Sequence, residues 1–158
     1  MKFSIPKIVQ PLPLTGYAPE AVTESGAPAV VWVWVNPPHA FLQRRNAAGT
    51  RGQAAAARMA RFAQERATAG KRRRGRGAPP AALQTEVDQL AAELEAIGWE
   101  MAGWYAELWS QGADPATHWT ADEVVALDAS ETDPGLGRWI KDRSVEMVNA
   151  HREGQAKK

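Results

Sequence analysis

Apolar residues follow two periods along this chain, and each period predicts an element. From Ala29 the sequence reads AVVWVWVNPP. Neighbouring side chains of an extended chain point to opposite sides, so Val31, Val33 and Val35 share one face and Val30, Trp32 and Trp34 the other. The run predicts a strand over about 29–35, apolar on both faces and stopped by Pro37 and Pro38. One face belongs to a core; the other must be covered by the N-terminal segment or by a partner. Tryptophan is enriched at contact hot spots, which makes Trp32 and Trp34 candidate partner-binding residues. After residue 80 the period lengthens. Leu83, Val87, Leu90, Leu94, Ile97, Met101, Trp104 and Leu108 are spaced 4-3-4-3-4-3-4. That is an a/d seam of almost four heptads and predicts a long helix over about 82–110. The seam can pack on another helix of this chain or on a second copy. Leu94, Met101, Trp104 and the adjoining Trp109 complete the partner-binding candidates.

The remaining segments fit around these two. Residues 1–28 hold short apolar pieces broken by Pro6, Pro11 and Pro13, which forbid a helix and allow a broken edge strand. Pro37-Pro38 can open a helix over 39–46. AAGTRG (47–52) is expected to interrupt or loosen it, and the Ala- and Arg-rich 53–69 to resume it, with Gly70 as C-cap. Gly98 and Gly103 lie off the seam, each at a helical cost of roughly 1 kcal/mol. Thr120 and Glu123 form a capping box that starts a helix near Ala121, with Val124, Val125 and Leu127 inward. Asp133 reads as an N-cap with Pro134 at the first helical position, and Gly154 as the end of that last helix. The expected fold class is α+β, mainly α: a small N-terminal β element followed by a helical bundle. Its segments are 1–38 (β), 39–69 (basic helical), 70–80 (basic loop), 81–153 (acidic helical body) and 154–158 (tail).

Charge sharpens that division. The formal net charge is +1 over 158 residues. Residues 44–76 nevertheless sum to +10, residues 77–137 to −12, and the rest to +3. Oppositely charged blocks in series can attract each other, a second copy, or separate partners. Lys71, Arg72, Arg73, Arg74 and Arg76 are candidate anion contacts, since clustered arginines neutralise phosphates. No aromatic residue lies between Phe62 and Trp99, so this run has no stacking platform and nucleic acid is a minor expectation. The chain has no cysteine, which excludes disulfides and thiolate chemistry. No apolar run approaches the ~20 residues of a membrane span, and the proline-broken N-terminus predicts no signal peptide.

Nothing in the sequence has the pattern of catalysis. His39, His118 and His151 lie apart and lack ligand companions at metal-site spacing. GKRRRGRG lacks the Ser/Thr and spacing of a phosphate-binding loop. Glu93, Glu95, Glu100 and Glu107 lie beside the seam, where a solvated helix face explains them. The expectation is a protein that is not an enzyme and uses neither cofactor nor metal.

The proline-punctuated KFSIPKIVQPLPLTGYAPE leads into VVWVWVNPP, and the C-terminal half carries Asp114-Pro115, Trp119-Thr120, Glu123, Leu127, Asp133-Pro134, Trp139-Ile140 and Arg143. This layout resembles the tail assembly chaperones of long-tailed bacteriophages. Residues 51–80 are longer and more basic than the family pattern. The resemblance implies a protein of the host cytoplasm, absent from the virion, that binds the tape-measure protein and brings tail-tube subunits to it. It also implies a longer frameshifted product, for which the codons of Lys157-Lys158 are the candidate slip site. The alternatives are a small virion component, such as a connector or decoration subunit, or a nucleic-acid binder using the 70–76 run.

Overall fold

In a computed structural model, the chain is α+β and mainly helical, with a three-stranded antiparallel sheet and four α-helices among the described residues. The structure describes residues 5–21, 23, 25–72, 81–130, 133 and 135–157, with backbone only for 69–72 and 81–82. The elements in order are β1 (Val9–Pro13), β2 (Val30–Trp34), α1 (His39–Arg72), α2 (Ala81–Leu108), β3 (Trp109–Ser110), α3 (Ala121–Asp128) and α4 (Leu136–Ala156). They form two compact units, one of residues 1–42 with 102–158 and one of residues 43–101. The unit boundaries therefore fall inside α1 and α2, and not at the compositional junctions near 38 and 80. The first turn of α1 and the last two turns of α2 carry large aromatics that complete the core of the sheet unit.

In that unit β2 is central, paired with β1 on one side and β3 on the other. Its valine face is closed: Val31, Val33 and Val35 are 2%, 0% and 0% exposed. Leu12 of β1 lies across from Val31 and is buried with it. The backbone bonds Leu14 N–H to Ala29 O and Val35 N–H to Ile8 O set the antiparallel alternation. Even-numbered residues of β1 bond β2, so the nitrogens of Val9, Pro11 and Pro13 point away from it. Proline is tolerated at such outward positions, and there it removes the free N–H groups that would otherwise recruit another strand.

Asn36 locks the N-terminal segment to the end of β2. Its Oδ1 accepts from Ile8 N–H and from Trp34 Nε1–H, each at 2.7 Å, and its Nδ2 donates to Pro6 O at 2.9 Å. Pro38 O accepts from Phe41 and Leu42, which starts α1. Helix α1 then runs without a break to Arg72, so the interruption expected at 47–52 is absent. Gly49 and Gly52 each weaken a helix modestly, but the alanines around them are the strongest helix formers. Gly52 also sits where a Cβ would approach Ile97 Cγ2 to 3.4 Å, so close packing compensates its cost.

Helix α2 ends at Leu108, short of 110, because Trp109 and Ser110 pair with Val33 and Trp32 of β2. The capping box at α3 forms as expected, with Thr120 Oγ1 accepting from Glu123 N–H. Helix α4 starts later than the sequence predicts, after Gly135, and runs past Gly154 to Ala156. Asp133 is not its cap: its carboxylate accepts the Tyr17 hydroxyl at 2.7 Å. Gly137 meets the backbone of Leu127, and Lys141 pairs with Asp128, so α3 and α4 pack closely.

The second unit is a helical hairpin. Arg51 donates from Nη2 to both oxygens of Glu100 at 2.7 Å, Arg58 lies 3.6 Å from Glu93, and a Cβ at Gly52 would touch Ile97. Residue numbers that sum to about the same value in each pair identify an antiparallel pairing. The seam of α2 thus packs on the basic helix of its own chain.

Candidate interaction surface

An almost continuous row of aromatic rings crosses the sheet unit. Trp34, Phe41, Trp104, Tyr105, Trp109 and Trp119 follow one another with centroid separations of 4.7–5.5 Å. Trp104 Nε1–H donates to Phe41 O at 2.7 Å and Trp109 Nε1–H to Ser144 Oγ at 2.9 Å. Both indoles are interior, 5% and 0% exposed. A ring enclosed in this way has no face for a partner, so Trp104 and Trp109 belong to the core and not to a contact surface. The sequence could not separate them from the others, because seam position and surface position look alike until a third element covers the helix.

Trp34 is also engaged within the chain. Besides the bond to Asn36, its ring carries Lys7 Nζ at 4.3 Å and packs on Phe41. Trp32 differs. It lies across from Pro11 in β1 and Ser110 in β3 and is half-buried. Its indole has neither a ring partner nor a side-chain hydrogen-bond partner among the described residues. Val30, Trp32, Pro11 and Pro13 therefore make an apolar sheet face in which both prolines are exposed.

No family model, curated protein or solved structure matches the chain.

The hairpin supplies the other candidates. Leu94 and Met101 are half-buried, whereas Leu90 and Ile97 of the same seam are 1% and 7% exposed. On α1 the less exposed positions include Phe41, Arg45, Ala48, Gly52, Ala55, Met59 and Phe62, spaced 4-3-4-3-4-3, with Leu42 and Gly49 beside them. This complementary stripe was hidden in the sequence because its centre is alanine and glycine, which carry little hydrophobic signal. Its small residues let the large side chains of α2 approach.

The basic run falls largely outside what the structure describes: Arg73, Arg74 and Arg76 are among the undescribed residues, and Lys71 and Arg72 are placed by backbone alone. The three histidines are dispersed, and no group of three potential metal-binding side chains occurs among the described residues. No helix among the described residues is long and apolar enough to cross a membrane.

One charged tether has a pH signature. The Tyr17 ring packs tilted against Trp139, centroids 5.5 Å apart, and its hydroxyl donates to Asp133. The hydrogen bond to Asp133, then desolvation, then the carboxylate charge raise the Tyr17 pKa above its usual 10.0. A raised folded-state pKa contributes stability below the unfolded value, and that contribution is lost as pH rises through the folded one. Thermal stability of the wild type should fall more steeply above pH 10 than that of Tyr17→Phe. Parallel melting curves over pH 9–11.5 check this, and identical slopes would contradict it.

Proposed function

We propose that this chain is a non-enzymatic tail assembly chaperone of a long-tailed bacteriophage. It holds the tape-measure protein soluble and brings tail-tube subunits to it while the tail polymerises. The observation that supports this most directly is the two-sided strand β2, whose valine face is closed while the Trp32 face stays half open. The identity of the client rests on the resemblance of the pattern from Asp114-Pro115 to Arg143 to that family. An apolar client helix laid on Val30, Trp32 and the two prolines buries a face that the described residues leave half exposed. Pro11 and Pro13 deter strand addition at that edge, which favours side-chain docking over sheet extension.

The test is co-expression with the tape-measure protein encoded by the same phage. Wild type is expected to recover that protein in the soluble fraction as a complex. Trp32→Ala should weaken capture by roughly 30-fold, the effect of losing a tryptophan hot spot worth about 2 kcal/mol, with the melting temperature held. An insoluble tape-measure protein in the presence of the wild type would overturn the proposal. So would stoichiometric amounts of this chain in purified particles, which would make it a virion component.

A further inference from the structure

A shallow cleft at the Trp34 end of the sheet gathers the side chains of Lys7, Glu107 and His118 beside Val9, Trp34 and Leu108. The three titratable groups come from three segments: Lys7 from the residues before β1, Glu107 from the last turn of α2, and His118 from the loop between β3 and α3. Lys7 Nζ lies 3.5 Å from His118 Nε2 and 4.3 Å from the centre of the Trp34 ring. Hydrogen bonds fix the backbone on both sides of this contact. Asn36 accepts from Ile8 N–H and donates to Pro6 O, the two neighbours of Lys7. Across the cleft His118 bridges to Ser110, and Trp119 N–H donates to Trp109 O at 3.3 Å. The Lys7–His118 contact therefore joins two clamped segments 111 residues apart in sequence.

An ammonium group has three donors and no acceptor. The contact forms only when His118 Nε2 offers a lone pair, which requires the neutral imidazole with its proton on Nδ1. We infer that this contact is a pH-sensitive latch: neutral His118 holds Lys7 over Trp34, and protonation of His118 releases Lys7 and bares the ring. Histidine is the side chain that takes up a proton between about pH 8 and 5. The proton turns the acceptor into a donor and sets two cations against each other. Glu107 is the one acid among the described side chains lining the cleft, and a single carboxylate neutralises one cation and not two. Asp114, an acid of the same loop as His118, accepts from Ala116 N–H. Lys7 is exposed, so its ammonium can move into water while Asn36 keeps the backbone in place. Trp34 shares its strand face with Trp32, so release widens the apolar face by one indole. That consequence rests on the chaperone reading; the latch itself does not.

Nuclear magnetic resonance of the full purified chain tests this with no client present, so its outcome is separable from that of tape-measure capture. The Trp34 indole N–H, bonded to Asn36, reports on the ring. In the wild type its resonance should move in one step as pH falls from about 8 to about 5, with circular dichroism unchanged. His118→Gln offers Lys7 an acceptor that takes up no proton, and the step should be lost. Lys7→Met removes the cation and keeps His118. The step should again be lost, because nothing is left to release. A wild-type resonance that does not move, or a step accompanied by loss of ellipticity, would overturn the inference. So would a step that survives in His118→Gln, which would place the titrating group elsewhere. A step that survives in Lys7→Met would also overturn it, by showing that the ring senses the His118 charge directly and not the departure of Lys7.

Discussion

Trp109→Ala should abolish the folded sheet unit. Trp109 is fully buried, pairs with Val33 in the sheet, and packs against Tyr105 and Trp119. Its indole N–H bonds Ser144 Oγ, whose own hydroxyl donates to Ile140 O in α4. One side chain therefore joins the end of α2, the sheet and the last helix. Truncating a buried tryptophan to alanine costs about 3–5 kcal/mol through lost transfer energy and the cavity left behind. A domain's whole stability is about 5–15 kcal/mol, so little or none remains. The expected result is loss of near-ultraviolet circular dichroism at 25 °C, or a melting transition lowered by well over ten degrees. Trp109→Phe separates packing from the hydrogen bond. It keeps a ring in the site, and Ser144 stays satisfied by Ile140, so the cost should be clearly smaller than for alanine. Equal losses for the two variants would show that the indole N–H, and not ring volume, carries the site.

Leu94→Asp with Met101→Asp should separate the hairpin. Both side chains are half-buried on the seam of α2, between Leu90, Ile97 and Trp104. Each substitution removes apolar contact with α1 and sets a carboxylate beside apolar groups, at about 2–4 kcal/mol per site. Helices as long as these draw most of their stability in water from packing, so far-ultraviolet ellipticity should fall along with stability. The exposed pair Ala91→Arg and Gly98→Arg should leave ellipticity intact. Unchanged ellipticity and an unchanged melting curve in the aspartate variant would mean that the seam does not hold the two helices together.

The elements that were legible in advance share a property: each is specified by residues close in sequence. The strand at 29–35 follows from its period-two apolar run and the prolines after it. The start of α3 follows from the reciprocal bonds of Thr120 and Glu123, three residues apart. The seam of α2 needs only its own spacing. Where expectation and structure differ, a distant residue decided. Gly49 and Gly52 read as a break in α1, yet Ile97 of α2 packs on Gly52 and the helix continues. Asp133 reads as a cap, yet Tyr17, far away in the chain, takes its carboxylate. Trp109 reads as the end of a helix, yet β2 draws it into the sheet.

The candidate surface divides along the same line. That Trp32 and Trp34 lie on one face of a strand is dictated by strand geometry and was readable from seven residues. Which of the two stays open was not. Lys7, Asn36 and Phe41 come from three separate segments to engage Trp34, while Trp32 meets Pro11 and Ser110, which leave its ring half exposed. The sequence alone determined the periods, the capping box of α3, the charge blocks and the absence of cysteine, because these are local or compositional properties. Tertiary structure alone decided which tryptophans are core and which seam residues remain half exposed. Burial is set by what arrives from elsewhere in the chain, and no local pattern encodes the neighbour that covers a face.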